Sequence, residues 1–235
     1  MLKLITILFL FFQLSYAQDD QSSLDDFVFE NVLANHREFD YKIHNAYLNQ
    51  DYDKVDKIFR DFIEDNLHNK IMNDFTWNKF RSRHKSLYDI DLPIYLMTRS
   101  SWSLPNIGEI PAINRLAKKY KKEIKFVVLF WDNKQKMKKQ GRKYSRHVNV
   151  VYIDEMQNKD AYTIKALKHV LGVPTSFVIN KNKRVMDVDR PVATPFHVEE
   201  SQAKQTCVES IEEKINRAFD SSYKLISEKS SEDRQ

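Results

Sequence analysis

From Asp25 to about Lys85 the apolar residues recur at helical spacing. Val55, Ile58, Phe59, Phe62 and Ile63 fall at i, i+3, i+4, i+7 and i+8, which puts an apolar stripe along one helix face. Phe39, Ile43 and Tyr47 stand four apart on an earlier helix, and Ile71, Phe75, Trp77 and Phe80 continue the pattern with looser spacing. Two or three packed helices are predicted.

Near Pro93 the period changes to short apolar runs separated by helical stretches, the mark of a sheet with crossover helices. Leu92 to Thr98 reads as a strand. A helix is predicted from about Ser103 to Tyr120, with Ile107, Ile110, Ile113, Leu116 and Ala117 inward and Lys118, Lys119, Lys121 and Lys122 at its end, where cations oppose the helix dipole. Ile124 to Phe130 is a near-continuous apolar run, as a central strand covered on both faces requires. A basic helix follows, then a strand over Val148–Ile153 and a helix over Ala161–Leu171 ended by Gly172. Thr175–Ile179 and Arg184–Val188 form a hairpin through Asn180–Lys183. An amphipathic helix from about Glu199 to Phe219 carries Val208, Ile211, Ile215 and Phe219 on one side, and the last dozen residues read as a loose tail.

Composition changes this picture mainly at the start of the chain. Lys3, the apolar run Leu4–Phe12 and the small residues around Ser15-Tyr16-Ala17 have the order of an export signal, with cleavage after Ala17. The run is shorter than the roughly 20 residues a membrane span takes, which favours removal over anchoring. A periplasmic or secreted protein is expected, with no integral membrane segment once the signal is gone. The expected layout is a signal peptide over 1–17, a helical region over 18–88, a second domain over 89–222 and a flexible tail over 223–235. The formal charge of +5 is a mild excess that requires no nucleic acid. Cysteine usage is more telling: an oxidising compartment favours disulfides, yet Cys207 stands alone and forms no internal bridge.

Two local sequences carry the candidate chemistry: Trp102-Ser103-Leu104-Pro105-Asn106-Ile107-Gly108-Glu109-Ile110-Pro111, after the first strand, and Gly172-Val173-Pro174-Thr175, before the hairpin. With them, the chain from Leu92 onward resembles the thioredoxin-like superfamily, in particular its exported TlpA-type members, whose corresponding segments commonly read W-C-x-P-C-x-x-E-I-P and G-V-P-T. Trp102, Pro105, Glu109, Ile110 and Pro111 match the first, and Gly172 to Thr175 match the second. The resemblance covers about half of the chain and leaves the helical region outside it. It implies an α/β thioredoxin-like fold, a central mixed sheet flanked by helices, here with an N-terminal all-α extension and a C-terminal helix. It further implies a cis bond before Pro174 and a binding surface made by Trp102, Ser103, Leu104, Pro105, Asn106, Val173, Pro174 and Thr175.

The departures from the family pattern matter as much. In active members a cysteine at a helix N-terminus ionises and attacks a substrate disulfide, and a second cysteine resolves the mixed disulfide. Ser103 and Asn106 occupy those positions. A hydroxyl without a positioned base is a poor nucleophile toward sulfur, so neither step is available and no catalytic residue is assigned. Ser103 is instead expected to cap the following helix through its side-chain oxygen. Met97 falls where many thioredoxins keep a buried acid.

Three further features have bland readings. His36, Asp40 and His44 stand four apart on a predicted helix, which reads as a solvated polar face without a closed ligand set; no metal or other cofactor is expected. The run Lys134, Lys136, Lys138, Lys139, Arg142, Lys143 and Arg146 reads as a solvated face, with an acidic partner or anionic lipid as the alternative. Cys207, next to Val208, reads as a small packed hydrophobe on a last helix placed away from the site. The expected function is a redox-inactive polypeptide-binding or folding-assistance module outside the cytoplasm. The alternative is an enzyme related to thiol-disulfide oxidoreductases, acting through Cys207 or a partner's cysteines.

Overall fold

The computed structural model describes residues 26–157, 160–191 and 197–232. The expected signal segment, residues 1–17, lies outside the described residues.

Side chains alternate between the two faces of a strand, and here both faces are apolar. In β2 (Ile94–Arg99), Ile94 and Leu96 turn to one side and Tyr95 and Met97 to the other, all buried. In β3 (Lys125–Phe130), Val127 and Leu129 oppose Phe126 and Val128 in the same way. A sheet with two apolar faces needs two covering layers. One layer is α3 (Glu109–Lys119), α4 (Lys134–Gly141) and α6 (Glu200–Glu232), which meet the sheet through Ile113, Leu116, Met137, Val208 and Ile211. The other is α1 (Val28–Leu48), α2 (Tyr52–Asn66) and α5 (Ala161–Ile164) with its π-helical continuation Lys165–Val170, through Val32, Phe39, Phe62, Leu167 and Val170.

With β1 (Asn78–Arg81), β4 (Asn149–Tyr152), β5 (Thr175–Ile179) and β6 (Val185–Asp189), the described strands form one six-stranded sheet in the order β1-β4-β3-β2-β5-β6. β2, β3 and β4 run parallel, as strands joined by crossover helices do. β5 lies antiparallel to β2, and β6 completes a hairpin with it. The chain order from β2 to α6 is strand, helix, strand, helix, strand, helix, strand, strand, helix, and the Val173–Pro174 bond ahead of β5 is cis. This is a thioredoxin-like α/β fold.

The helical expectation for the N-terminal region holds only to Asn66. Residues 67–93, with Ile71, Phe75, Trp77 and Phe80, are not helical: Ile71 bridges both Phe27 and Arg184, and Asn78–Arg81 forms β1, antiparallel to β4. The loose spacing explains the difference, since Phe75 and Trp77 stand two apart, at strand period. Nor do α1 and α2 stand aside from the sheet. The Val28 N–H donates to the Ile71 carbonyl (3.0 Å) and the Phe29 N–H to Asn73 Oδ1 (2.9 Å), so the first turn of α1 is satisfied by this non-helical segment. At the other end of the chain, α6 continues to Glu232 through most of the stretch read as a tail. No helix among the described residues is long and apolar enough to cross a membrane.

Candidate functional site

Both motifs lie at the end of the sheet where β2 stops and β5 starts, and strand register puts them there. Thr98 pairs with Thr175 across β2 and β5, and its hydroxyl donates to the Thr175 carbonyl (3.3 Å). Val173 and Pro174 therefore sit beside the loop that leaves β2, the loop that carries Trp102, Ser103, Leu104, Pro105 and Asn106. Gly172, at φ +77°, ends the preceding helix in a conformation a side chain would disfavour, and its carbonyl accepts from the Thr175 hydroxyl (2.9 Å). Strand register thus places the two motifs at the same end of the sheet.

The cap expected of Ser103 is absent. The helix begins at Glu109, six residues later, with Gly108 at its N-cap in the left-handed region at φ +89°. Pro111 then falls in the first turn, where a missing N–H costs nothing. Ser103 is half-buried in the loop and is held by its backbone: its N–H donates to the Ser100 carbonyl (3.0 Å), and its own carbonyl accepts from Arg99 (3.3 Å). The orphan N–H groups of a helix start accordingly follow Gly108 and not Ser103.

Several residues that sequence reading did not single out fix this loop. Asp132, two residues past β3, accepts from the Ser101 N–H (2.6 Å) and the Ser101 hydroxyl (2.9 Å). Gln140 on α4 donates to the Ser101 carbonyl (2.7 Å). Beneath the loop lies Arg99, fully buried, which pairs with the carboxylate of buried Glu109 and donates to the Tyr144 hydroxyl (2.9 Å). Desolvation presses the Arg99 guanidinium down, while Tyr144 and Glu109 press it up more strongly, so it stays charged. Burial pushes the Tyr144 hydroxyl up to about 12, which keeps it neutral and able to donate. The sequence signal was a charged residue closing an apolar strand, with Glu109 ten residues on.

The last helix is not remote from the site. A Cβ built on Gly108 would lie 2.3 Å from the Lys204 backbone nitrogen and 2.6 Å from the Ala203 carbonyl carbon, so the loop leans directly on the first turns of α6. Cys207, 6% exposed, lines a cavity of about 20 Å³ with Tyr95, Met97, Asn106, Glu109 and Lys214. The expectation that this helix sits away from the site is corrected by that contact. Glu109 of α3, whose carboxylate pairs with Arg99, lines this cavity beside Met97, which offers no acid from the strand. On the outward side the loop is apolar and open: Trp102 is 72% exposed, Leu104 87% and Ile107 45%.

No family model matches the chain, and no curated protein matches it. Among solved structures, the chain is similar to one from Chlorobium tepidum described as a thiol:disulfide interchange protein DsbE, at 23% identity over 62% of this chain and 93% of that one, with a TM-score of 0.46. It is also similar to the thioredoxin domain of a thiol-disulfide oxidoreductase from Bacteroides vulgatus, at 13% identity over 61% and 96% of the two chains, with a TM-score of 0.45. A third is the exposed lipoprotein thioredoxin of Streptococcus pneumoniae, at 16% identity over 58% and 99%, with a TM-score of 0.42.

Proposed function

We propose that this chain is a redox-inactive thioredoxin-like module that acts outside the cytoplasm and holds an extended polypeptide against Trp102–Asn106 and Val173–Thr175. The observation that carries the reading is the set of exposed apolar side chains, Trp102, Leu104 and Ile107, on a loop fixed from below by Arg99, Asp132 and Gln140. A frame ordered before binding loses little entropy when a ligand settles on it, and an exposed Trp is the residue type that most often anchors a partner. Ser103 and Asn106 support the redox-inactive part, because thiol–disulfide exchange needs a thiolate at the first position and a second thiol to resolve the intermediate. The order of residues from Lys3 to Ala17 supports export.

The test pairs two measurements. The purified chain is expected to add nothing to the reduction of insulin by dithiothreitol, and a photo-crosslinker placed at Leu104 is expected to capture unfolded polypeptide in amounts that Trp102→Ala lowers severalfold. Insulin reduction at a rate that survives Ser103→Ala would overturn the reading, as would crosslinking indifferent to Trp102→Ala.

A second reading uses Cys207 as a single thiol and draws on its place beside Asn106 in one cavity. Its 6% exposure opposes this, since exchange requires a thiolate that the substrate sulfur can reach. Alkylation of Cys207 in the folded chain as fast as in the urea-unfolded chain would favour it.

A further inference from the structure

Charge is distributed very unevenly over this fold. Between Lys118 and Arg146 the sequence has twelve lysines and arginines against two acids, Glu123 and Asp132. Asp132 is turned to Ser101. Of the twelve cations, Lys119 alone has an ion pair among the described residues, to Glu212 at 2.5 Å. Lys125 is half-buried and the other eleven are exposed. Across the sheet, residues 28–66, which include α1 and α2, carry nine acids against five bases.

The fold gathers the two basic stretches into one surface. Asn114 of α3 ties the helix to the turn after α4: its Nδ2 donates to the Lys143 carbonyl (3.0 Å), and its Oδ1 accepts from the Ser145 N–H (2.6 Å). His147, just beyond, feels Lys118, Lys121 and Lys125 from the α3–β3 side and Arg146 from its own; desolvation first, then these four cations, hold its pKa below the ordinary value. Lys134, Lys136, Lys138 and Lys139 of α4, all exposed, lead directly into that same turn.

What such a surface recognises follows from what it lacks. Specific protein interfaces are anchored by aromatic side chains and arginine in desolvated pockets. None of the large apolar side chains found exposed among the described residues falls between 118 and 146, and ten of the twelve cations are lysine. Lysines are hydrated point charges on flexible stems, suited to a diffuse field of negative charge and not to a fixed docking geometry. We propose that the α3–α4 face of this protein docks on an anionic lipid bilayer.

Sedimentation of the full chain with vesicles tests this. The run Leu4–Phe12 can bind lipid without regard to charge, so vesicles of phosphatidylcholine alone set the background. Binding to vesicles with about 30 mol% phosphatidylglycerol is expected to be at least about tenfold tighter than to phosphatidylcholine, because each cation near the surface contributes roughly fivefold. The difference is expected to vanish at about 0.5 M salt, where screening is short-ranged. The triple variant Lys121→Glu, Lys138→Glu, Arg146→Glu should lose it, and Lys54→Glu, Lys57→Glu, Arg60→Glu, on the opposite layer, should keep it, with thermal melts of both confirming the fold. Trp102→Ala should also bind as the parent does, which separates this surface from the polypeptide site. Equal affinity for the two vesicle types overturns the proposal, and so does binding unchanged by the first triple variant. Binding to polyglutamate with no preference for phosphatidylglycerol overturns it in favour of an acidic polypeptide.

Discussion

Arg99 shows how much of the site depends on one buried charge. A guanidinium out of water is tolerable only with a carboxylate and other acceptors around it, and Glu109, Tyr144 and the Ser103 carbonyl supply them. Removing one partner strands the other, so Arg99→Met is expected to lower stability by about 3–5 kcal/mol in urea unfolding, and adding Glu109→Leu to recover most of that loss. A single variant as stable as the parent would show that Glu109 needs no partner. Residues of this kind were the least legible in the sequence. Trp102 and Pro174 were found because each sits in a short motif whose geometry is local. Arg99, Asp132 and Gln140 matter chiefly through partners 10 to 45 positions away, and beyond the charge that closes β2 nothing in their neighbours announces that. The cap assigned to Ser103 failed for a reason that was legible: Gly108 and Pro111 together mark a helix start six residues later.

At the scale of elements, the junction between α3 and α6 is decisive. Gly108 meets two demands at once, a left-handed backbone and an approach to the Ala203–Lys204 backbone closer than any Cβ allows. Gly108→Ala is therefore expected to cost at least about 2 kcal/mol and to push α6 outward. The measurements are the melting temperature and the rate of Cys207 alkylation, which should rise as the helix moves off its cavity. An unchanged alkylation rate in the folded variant would mean that the helix does not bear on the loop. The elements from β2 to α6 could be read in order from hydrophobic period, because each strand there buries apolar residues that declare it. β1 could not: its four residues, Asn78 to Arg81, are exposed or half-buried, so pairing with β4 and not burial defines it.

For the molecule as a whole, the consequence of a sheet apolar on both sides is that α1 and α2 are structural. They share a core with Ile94, Leu96, Val127 and Phe177, and deleting residues 26–66 would expose that face to water. The truncated chain is expected to unfold without a cooperative transition and to bind a hydrophobic dye in buffer, whereas a sharp melt would show that the second layer is dispensable. Sequence reading could identify these helices by their stripes but not their place, since a stripe does not say which surface covers it. The same layering sorts the three tryptophans. Trp77 and Trp131 are buried, and Trp102 stands in solvent on the candidate binding loop. The chain thus has a built-in optical reporter: the red-shifted, quencher-accessible part of its emission belongs to Trp102, and whatever settles on that loop will be seen in the spectrum without a label.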